Sequence, residues 1–571
     1  RLVPVRIPKA SFDTHWHLIG GTGKGKTTAI HTMLHGLLLD PTHEPCVVIV
    51  DRMGNLSYEL LLWMASDFCT EEVRERLVYI QPSREDAVIG FNPLLYDTMA
   101  HGYYKVSRAS EIILKGWASQ NLEEMPRLGR WLFNSFWAAA QLGLTIADCV
   151  HFLMPGSPYH EQLMQILPAA LRYEWSDLIQ TRSGEVSRIL DSSRNRLKPF
   201  FESPVLRQMF GVTENRLDML RFMREGKIVV LNLAPLNRLP EQVADAIGGL
   251  VINEVLTSAR SLPLGVRYPT YLYLDEFQRF VGPDVESAIP EMRQLGVKLI
   301  LSHQSFSQLK RGDTDLTSLI FQAQSRMIFG VQGEDADILA HELASIQYDP
   351  KKIKDEWYSQ RQRQVGHRIA ELGSWSTSES DAKNWNQSYG QNWSHSDRKV
   401  MGVIRGTGDT RGGSDGHGDG GSRTSGSTSG THQTLVPVHE DYLELASRVY
   451  QTFDEDLRVW ARDIRNLSRG RAIVRLVDDP KLYDVDVKRS APGYLAFDAA
   501  TLREEKPEVL DEVDQMIDRN FQSNLFASPK QIETEMQERL HRLLHKTIVV
   551  PSNVTGEQQS SLPQETPFID G

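Results

Sequence analysis

An α/β fold built on a mostly parallel sheet is predicted by three stretches of this chain. The first is His17-Leu18-Ile19-Gly20-Gly21-Thr22-Gly23-Lys24-Gly25-Lys26-Thr27-Thr28, a glycine-rich turn between an apolar strand and a helix. It contains the pattern G-x-x-x-x-G-K-T, whose glycines let successive backbone N–H groups turn inward onto phosphate oxygens. The second is the alternation of short, wholly apolar runs such as Cys46-Val47-Val48-Ile49-Val50-Asp51 and Leu77-Val78-Tyr79-Ile80 with helical segments. Such runs read as strands buried on both faces, as parallel strands covered by helices are. The third is Tyr271-Leu272-Tyr273-Leu274-Asp275-Glu276, an apolar strand that delivers two carboxylates at its end.

In chain order, residues 1–96 form the first part of the core. Val3, Val5 and Ile7 alternate like an edge strand or arm, and Thr28 to Leu39 is the helix after the glycine turn. Its N-terminus adds partial positive charge to the phosphate site. Gly20, Gly21, Thr22, Gly23, Lys24, Gly25, Lys26, Thr27 and Thr28 are the expected ATP-binding loop. Lys26 reaches the β- and γ-phosphates, and the Thr27 hydroxyl holds Mg²⁺.

Residues 97–205 lack strand signals and read as an all-helical insertion. Trp131, Phe133, Phe136 and Trp137 recur at helical spacing and read as core packing rather than a base-stacking surface. Its basic end, Arg188, Arg194, Arg196 and Lys198, is either a solvated helix face or a contact to a phosphate backbone.

The core resumes over 206–348. Gly226 to Leu233 is a buried strand, Glu241 to Ser261 a helix, and the Tyr271 strand brings Asp275 to the Mg²⁺ shell and Glu276 to the attacking water. Gln304 follows the strand Val297-Lys298-Leu299-Ile300-Leu301-Ser302, at the carboxyl edge where ligands bind in open α/β sheets, and so suits a γ-phosphate sensor. His303 beside it reads as structural or outward-facing.

Beyond, 349–372 reads as a charged helix and 373–432 as a disordered Gly/Ser linker in which Trp375, Trp385, Tyr389 and Trp393 are scattered. Residues 433–490 read as a helix, Tyr442 to Leu467, then a β-hairpin rejoining the sheet. A helical, finally disordered tail spans 491–571. Within it, Ser528-Pro529 with Gln531 predicts a capped helix bearing Ile532, Met536 and Leu540 on one face.

Composition narrows the function. A formal charge of −11 argues against coating nucleic acid through bulk positive charge, while a basic lining on one face or pore remains compatible. Three scattered cysteines exclude a disulfide framework or a cysteine-rich zinc site, which fits a reducing, cytoplasmic location. No run of about 18 apolar residues predicts a membrane-spanning helix. The chain starts at Arg1 rather than Met, leaving room for membrane association through a preceding region or a partner.

Taken together, the loop HxxxGGTGKGKT, the strand ending at Asp51, Phe91-Asn92-Pro93-Leu94, YLYLDEF and MRQLGVKLILSHQSFSQL resemble the HerA/FtsK-type DNA-pumping ATPases. Within that group they look most like the conjugative coupling ATPases of type IV secretion, the TraG/TraD kind. The resemblance implies a RecA-like P-loop NTPase core, ATP and Mg²⁺ as cofactors, a homo-hexameric ring, and single- or double-stranded DNA as the cargo. It implies Glu276, Gln304 and Arg293 as catalytic residues, with Arg293 an arginine finger reaching a neighbour's ATP. Expected partners are a relaxase and secretion channel. The alternatives are a HerA-like helicase paired with a nuclease, or an ATP-gated scaffold that pumps nothing. Lys24 departs from the family, where a small residue is usual.

Overall fold

The computed structural model describes residues 6–40, 44–116, 126–155, 157–179, 183–235, 238–263, 265–280, 291–311, 314–381, 391–396, 408–413, 423–489 and 491–544. The chain divides into two compact units, one of residues 1–340 and 461–571, the other of residues 341–460.

The first unit is built on nine strands. Its central strands are the apolar runs read above: β1 (Trp16–Ile19), β2 (Cys46–Asp51), β3 (Leu77–Ile80), and, beyond the two-residue β4 (Val88–Ile89), β5 (Ile228–Asn232), β6 (Thr270–Leu274) and β7 (Val297–His303). After the short β8 (Lys310–Arg311) and β9 (Thr314–Asp315) comes β10 (Ser325–Ile328). Strands β1, β2, β5 and β6 are buried along their whole length, as a sheet covered on both faces requires. Each fully buried Val, Leu or Ile contributes about 1.5–3 kcal/mol.

From β10 to β3 the order is β10-β1-β7-β6-β2-β5-β3, and all these neighbours are parallel. The strand that leads to Gln304 therefore lies between the strand of the glycine loop and the strand of the two acids. Three sequence segments far apart in the chain thus end side by side at one edge of the sheet.

Helix α1 (Lys26–Leu38) starts at Gly25, whose φ of 116° and the φ of 72° at Gly23 are backbone states that only glycine adopts without strain. Helix α2 (Asn55–Met64) starts after Asp51, whose carboxylate accepts from the N–H groups of Met53, Gly54 and Ser57 at 3.1, 2.8 and 2.7 Å. The strand-end acid read at Asp51 is a helix cap.

Helix α3 (Glu71–Glu75) precedes β3, and between β4 and β5 lies the helical insertion, α4 (Met99–Gly116), α5 (Pro126–Gln141), α6 (Pro158–Ile166), α7 (Ala169–Ile179) and α8 (Ser183–Glu202), followed by α9 (Pro204–Phe210) and α10 (Met219–Arg224). Trp131 packs on Trp175 at 5.1 Å between ring centres, and Phe136 is fully buried, so these aromatics form a core. Arg194 pairs with Asp191 and Lys198 with Glu202 on the same helix, the solvated-face arrangement; the Arg188 side chain lies outside the described residues. Buried Lys105 meets Glu254 of α11 (Glu241–Arg260) at 3.0 Å, and buried Arg539 meets Asp148 at 3.1 Å. These pairs fix the insertion to the core and to the last helix. Losing one partner of such a pair costs about 3–5 kcal/mol, because the other charge is left buried alone.

That last helix, Pro529–Leu544, opens with the expected cap: Ser528 N–H donates to Gln531 Oε1 at 3.0 Å, and Gln531 N–H to Ser528 Oγ at 3.4 Å. Ile532 and Met536 are buried, while the Leu540 side chain and residues 545–571 lie outside the described residues.

The second unit corrects the sequence reading. Residues 349–372 are no charged helix: β11 (Ile353–Asp381) runs antiparallel to β14 (Arg423–Tyr450) along a two-stranded ribbon. Inside it, β12 (Gln391–Ser396) pairs with β13 (Gly408–Gly413). The helix expected from Tyr442 to Leu467 is strand to Tyr450 and helix only over Phe453–Arg465. The physical reason is long-range pairing. The Arg- and Gln-rich residues suit a solvated helix, yet Arg361 meets Glu444 at 2.6 Å and Arg363 meets Glu440 at 3.3 Å on a strand about 80 positions later. Within the expected linker 373–432, residues 373–381, 391–396, 408–413 and 423–432 are strand; Trp385 and Tyr389 lie outside the described residues.

Past the ribbon, β15 (Arg471–Arg475) and β16 (Leu482–Asp486) form a hairpin that adds antiparallel to β10, completing the nine strands.

Candidate active site

The glycine loop crosses the carboxyl edge of β1 and leans on the segment after β10. Gly21 N–H donates to Gly330 O at 3.0 Å, and a Cβ on Gly20 would stand 2.5 Å from Cβ of Phe329, so that position accepts no side chain. Lys26 Nζ donates to the carbonyls of Gly20 and Gly21 at 2.5 and 3.3 Å, which keeps the cation inside the loop. Burial pushes the Lys26 pKa down, while Asp275 and Glu276 push it back up. Lys24 points elsewhere. Its Nζ donates to Leu467 O at 3.0 Å and its carbonyl accepts from Gly470 N–H at 2.9 Å. The extra cation of this loop is a tether to the turn before β15.

At the end of β6 the backbone turns sharply, with Glu276 at φ 52° and ψ 45°. This is left-handed backbone, costly for a residue with a Cβ, and functional sites are where such strain is found. The carboxylate of Glu276 accepts from Gln304 Nε2 at 2.8 Å, and Gln304 Oε1 accepts from the Thr22 hydroxyl at 3.0 Å. One hydrogen-bonded line therefore runs from the phosphate loop through the glutamine to the acid. Thr22, read in the sequence only as part of the loop, also fixes which way the Gln304 amide faces.

Asp275 has its pKa pushed up to about 6, first by burial and then by the nearby charge of Asp51. A carboxylate on Asp275 and a hydroxyl on Thr27 are hard oxygen donors, and among the described residues no cluster of three His, Cys, Asp or Glu side chains could hold a metal alone. That donor set fits Mg²⁺, which keeps most of its water and shares its shell with substrate phosphates. Because only the ionised form of Asp275 binds a cation, the free Mg²⁺ needed for half-maximal ATP hydrolysis is expected to rise about tenfold per pH unit below about pH 6 and to level off above it. Mg²⁺ titrations across that range check this, with Asp275→Asn as the control that lacks the slope.

His303 is neither outward nor idle. It is fully buried, and its ring lies edge to edge with that of His17, nearly coplanar at 13°, with Nε2 to Nε2 at 2.6 Å. Nδ1 of His303 lies 3.1 Å from the carbonyl of Ser305, which can only accept, so Nδ1 carries the proton and Nε2 accepts from His17. Burial holds His17 well below its ordinary pKa and His303 at about 4, so the pair is neutral. It braces the strand end from which Gln304 projects. A histidine just before a glycine loop and another before a glutamine are the only sequence signs of it.

Arg293 is the predicted site residue that the fold does not bring to the others. It is exposed in the turn closed by Gly296 N–H donating to Arg293 O, before the start of β7 and hence at the opposite end of the sheet from Glu276.

Two family models match the chain: "Type IV secretion-system coupling protein DNA-binding domain" over residues 2–60 and "TraM recognition site of TraD and TraG" over residues 269–384. Over those two stretches the chain is similar to the coupling proteins of type IV secretion that the models describe. The first match spans the phosphate loop, and the second spans the acids, Arg293 and Gln304. Among solved structures, the plasmid coupling protein TrwB in complex with ADP and Mg²⁺ is 14% identical, with 85% of this chain and 88% of that chain covered and a TM-score of 0.50. The same protein in complex with a non-hydrolysable ATP analogue gives the same identity, coverage and TM-score. At that identity the likeness establishes the coupling-protein fold. No curated protein matches the chain. Among the described residues, no single helix is long and apolar enough to cross a membrane.

Proposed function

We propose that this chain is the ATP-driven coupling ATPase of a conjugative type IV secretion system, hydrolysing ATP in a homo-hexameric ring to move DNA. The line Thr22–Gln304–Glu276 is the observation that carries the reading, because it couples occupancy of the phosphate loop to the position of the base. In hydrolysis, Lys26 leaves the loop carbonyls for the β- and γ-phosphate oxygens. Glu276 takes a proton from the attacking water, and Gln304 shifts with the γ-phosphate it senses. Mg²⁺, when bound at Thr27 and Asp275, supplies charge neutralisation to the β- and γ-phosphates. A nucleotide-free loop and a cleaved one thereby differ in where Gln304 stands, which is the kind of difference a motor transmits. The description of the second family model favours a relaxosome-type partner for this chain.

The test is ATP hydrolysis by the intact chain with and without single- and double-stranded DNA. DNA is expected to raise the rate at least several-fold, and Lys26→Ala to abolish it. A rate unmoved by either DNA overturns the translocase reading in favour of a nucleotide-gated scaffold.

A further inference from the structure

Strands β11 and β14 form a ribbon of 29 and 28 residues, roughly 90 Å long at a strand's rise. Among the described residues neither strand has a third strand beside it. A lone two-stranded ribbon is marginal in water, and two long outer edges of unpaired N–H and C=O groups are templates for another chain. The ribbon also shows apolar side chains to solvent: Ile369, Leu435 and Leu443 are each about two-thirds exposed, at 66%, 64% and 66%. The register puts these on one face, since Ile369 lies opposite Leu435 and Leu443 follows Leu435 by an even step along β14, the one bulge in that span lying on β11 between Gln364 and Gly366.

The other face is charged, and its two halves differ in sign. Between residues 361 and 368, β11 carries Arg361, Arg363 and Arg368 and no acid. Between 440 and 444, the same face of β14 carries Glu440 and Glu444 and no base. One edge of the ribbon is therefore basic and the other acidic at the same height, where Arg363 lies opposite Glu440.

The geometry points to a second copy of this chain as the occupant of each edge: β11 of one copy pairs with β14 of the next, and the ribbons close into an antiparallel barrel. Cyclic symmetry makes this pairing antiparallel without further adjustment. Rotation about an axis along the ribbon sets the descending β14 of one copy beside the ascending β11 of its neighbour. The arginine column of β11 then stands between two acidic columns, one from its own ribbon and one from the neighbour's. The apolar residues continue from copy to copy as a girdle of same-face neighbours. Closure removes both edges, which no linear pairing does. The barrel rests on the ring reading above, and adds an interface that reading does not contain.

The test exchanges the charges without disturbing either ribbon. A quadruple variant, Arg361→Glu, Arg363→Glu, Glu440→Arg and Glu444→Arg, keeps the pairs 361–444 and 363–440 within each copy and keeps the match between identical copies. Against the unaltered chain, however, each mixed edge sets like charges opposite one another. Both proteins are expected to form rings with ATP and Mg²⁺. When the two are co-expressed under different tags, co-purification should fall about tenfold below that of two differently tagged unaltered chains, with native mass spectrometry showing unmixed rings. Rings of freely mixed composition overturn the ribbon pairing while leaving the ring itself standing. Absence of rings from the unaltered chain overturns both.

Discussion

Glu276→Gln is expected to lower the turnover number for ATP by about 10²- to 10⁴-fold, the usual worth of a positioned general base, while nucleotide affinity stays within a few-fold of the unaltered chain. The amide is nearly isosteric, and its oxygen can still accept from Gln304 Nε2, so the line from Thr22 to residue 276 persists. Only basicity is lost. The left-handed backbone at 276 is set by the chain turning from β6 into the following 3-10 turn and does not depend on the carboxylate. Lys26 and Asp275 keep their places in the loop and at the strand end. Single-turnover phosphate release, with binding of a fluorescent nucleotide measured alongside, separates the two effects. A turnover within threefold of the unaltered chain would take the base role away from Glu276. A parallel loss of affinity would show the carboxylate to be part of the binding shell instead.

The parts of this site that were legible in the sequence are those whose chemistry fixes a local spacing. A backbone that wraps phosphate needs its glycines at set intervals, and a parallel strand covered on both faces needs a wholly apolar run. Hence the loop of residues 20–28 and the ends of β2, β6 and β7 could be read directly. What could not be read depends on contacts between distant segments. Lys24 is tethered to Leu467, 443 residues away, and no feature near Lys24 announces it. Thr22 looks like one more loop residue until β7 is placed beside β1. The ribbon was misread for the same reason: its arginines and glutamines favour a solvated helix until β14 offers acids at matching positions. The strand-end acid at Asp51 was visible, but its three backbone donors belong to a turn whose shape only Gly54, at φ 82°, makes possible.

The tether joins the hairpin β15–β16 to the glycine loop, a link that its position at the sheet edge alone would not make. The Lys24 carbonyl and side chain are both taken by the turn 467–470, and Gly470 in turn accepts from Val487 N–H at 2.6 Å. Loop and hairpin therefore move together or not at all. The His17–His303 brace works from the other side, locking the strand ends that carry the loop and Gln304. Between these two restraints stands the side chain of Gln304, with one partner on the loop, Thr22, and one at the end of β6, Glu276.

Arg293→Ala is expected to cost about 10³- to 10⁵-fold in ATP turnover, the worth of an arginine finger, with the loss arising entirely between copies. Within one copy Arg293 has no path to the chemistry. It precedes β7, whose first residue, Val297, is level with Thr270 at the start of β6, while Glu276 lies past the end of β6. The strand alone separates them by about 15 Å, roughly twice the reach of an arginine side chain. The loss must therefore be repairable in trans. In a mixture of Arg293→Ala and Glu276→Gln chains, an interface that joins the intact Arg293 of a Glu276→Gln copy to the intact Glu276 of an Arg293→Ala copy is complete. At equal amounts such interfaces make up about a quarter of the total, so about a quarter of the unaltered activity should return if the sites fire independently. Each variant alone contains none and stays inactive. A mixture as inactive as its components would leave Arg293 as a turn residue and move the search for a finger to another exposed arginine of the core.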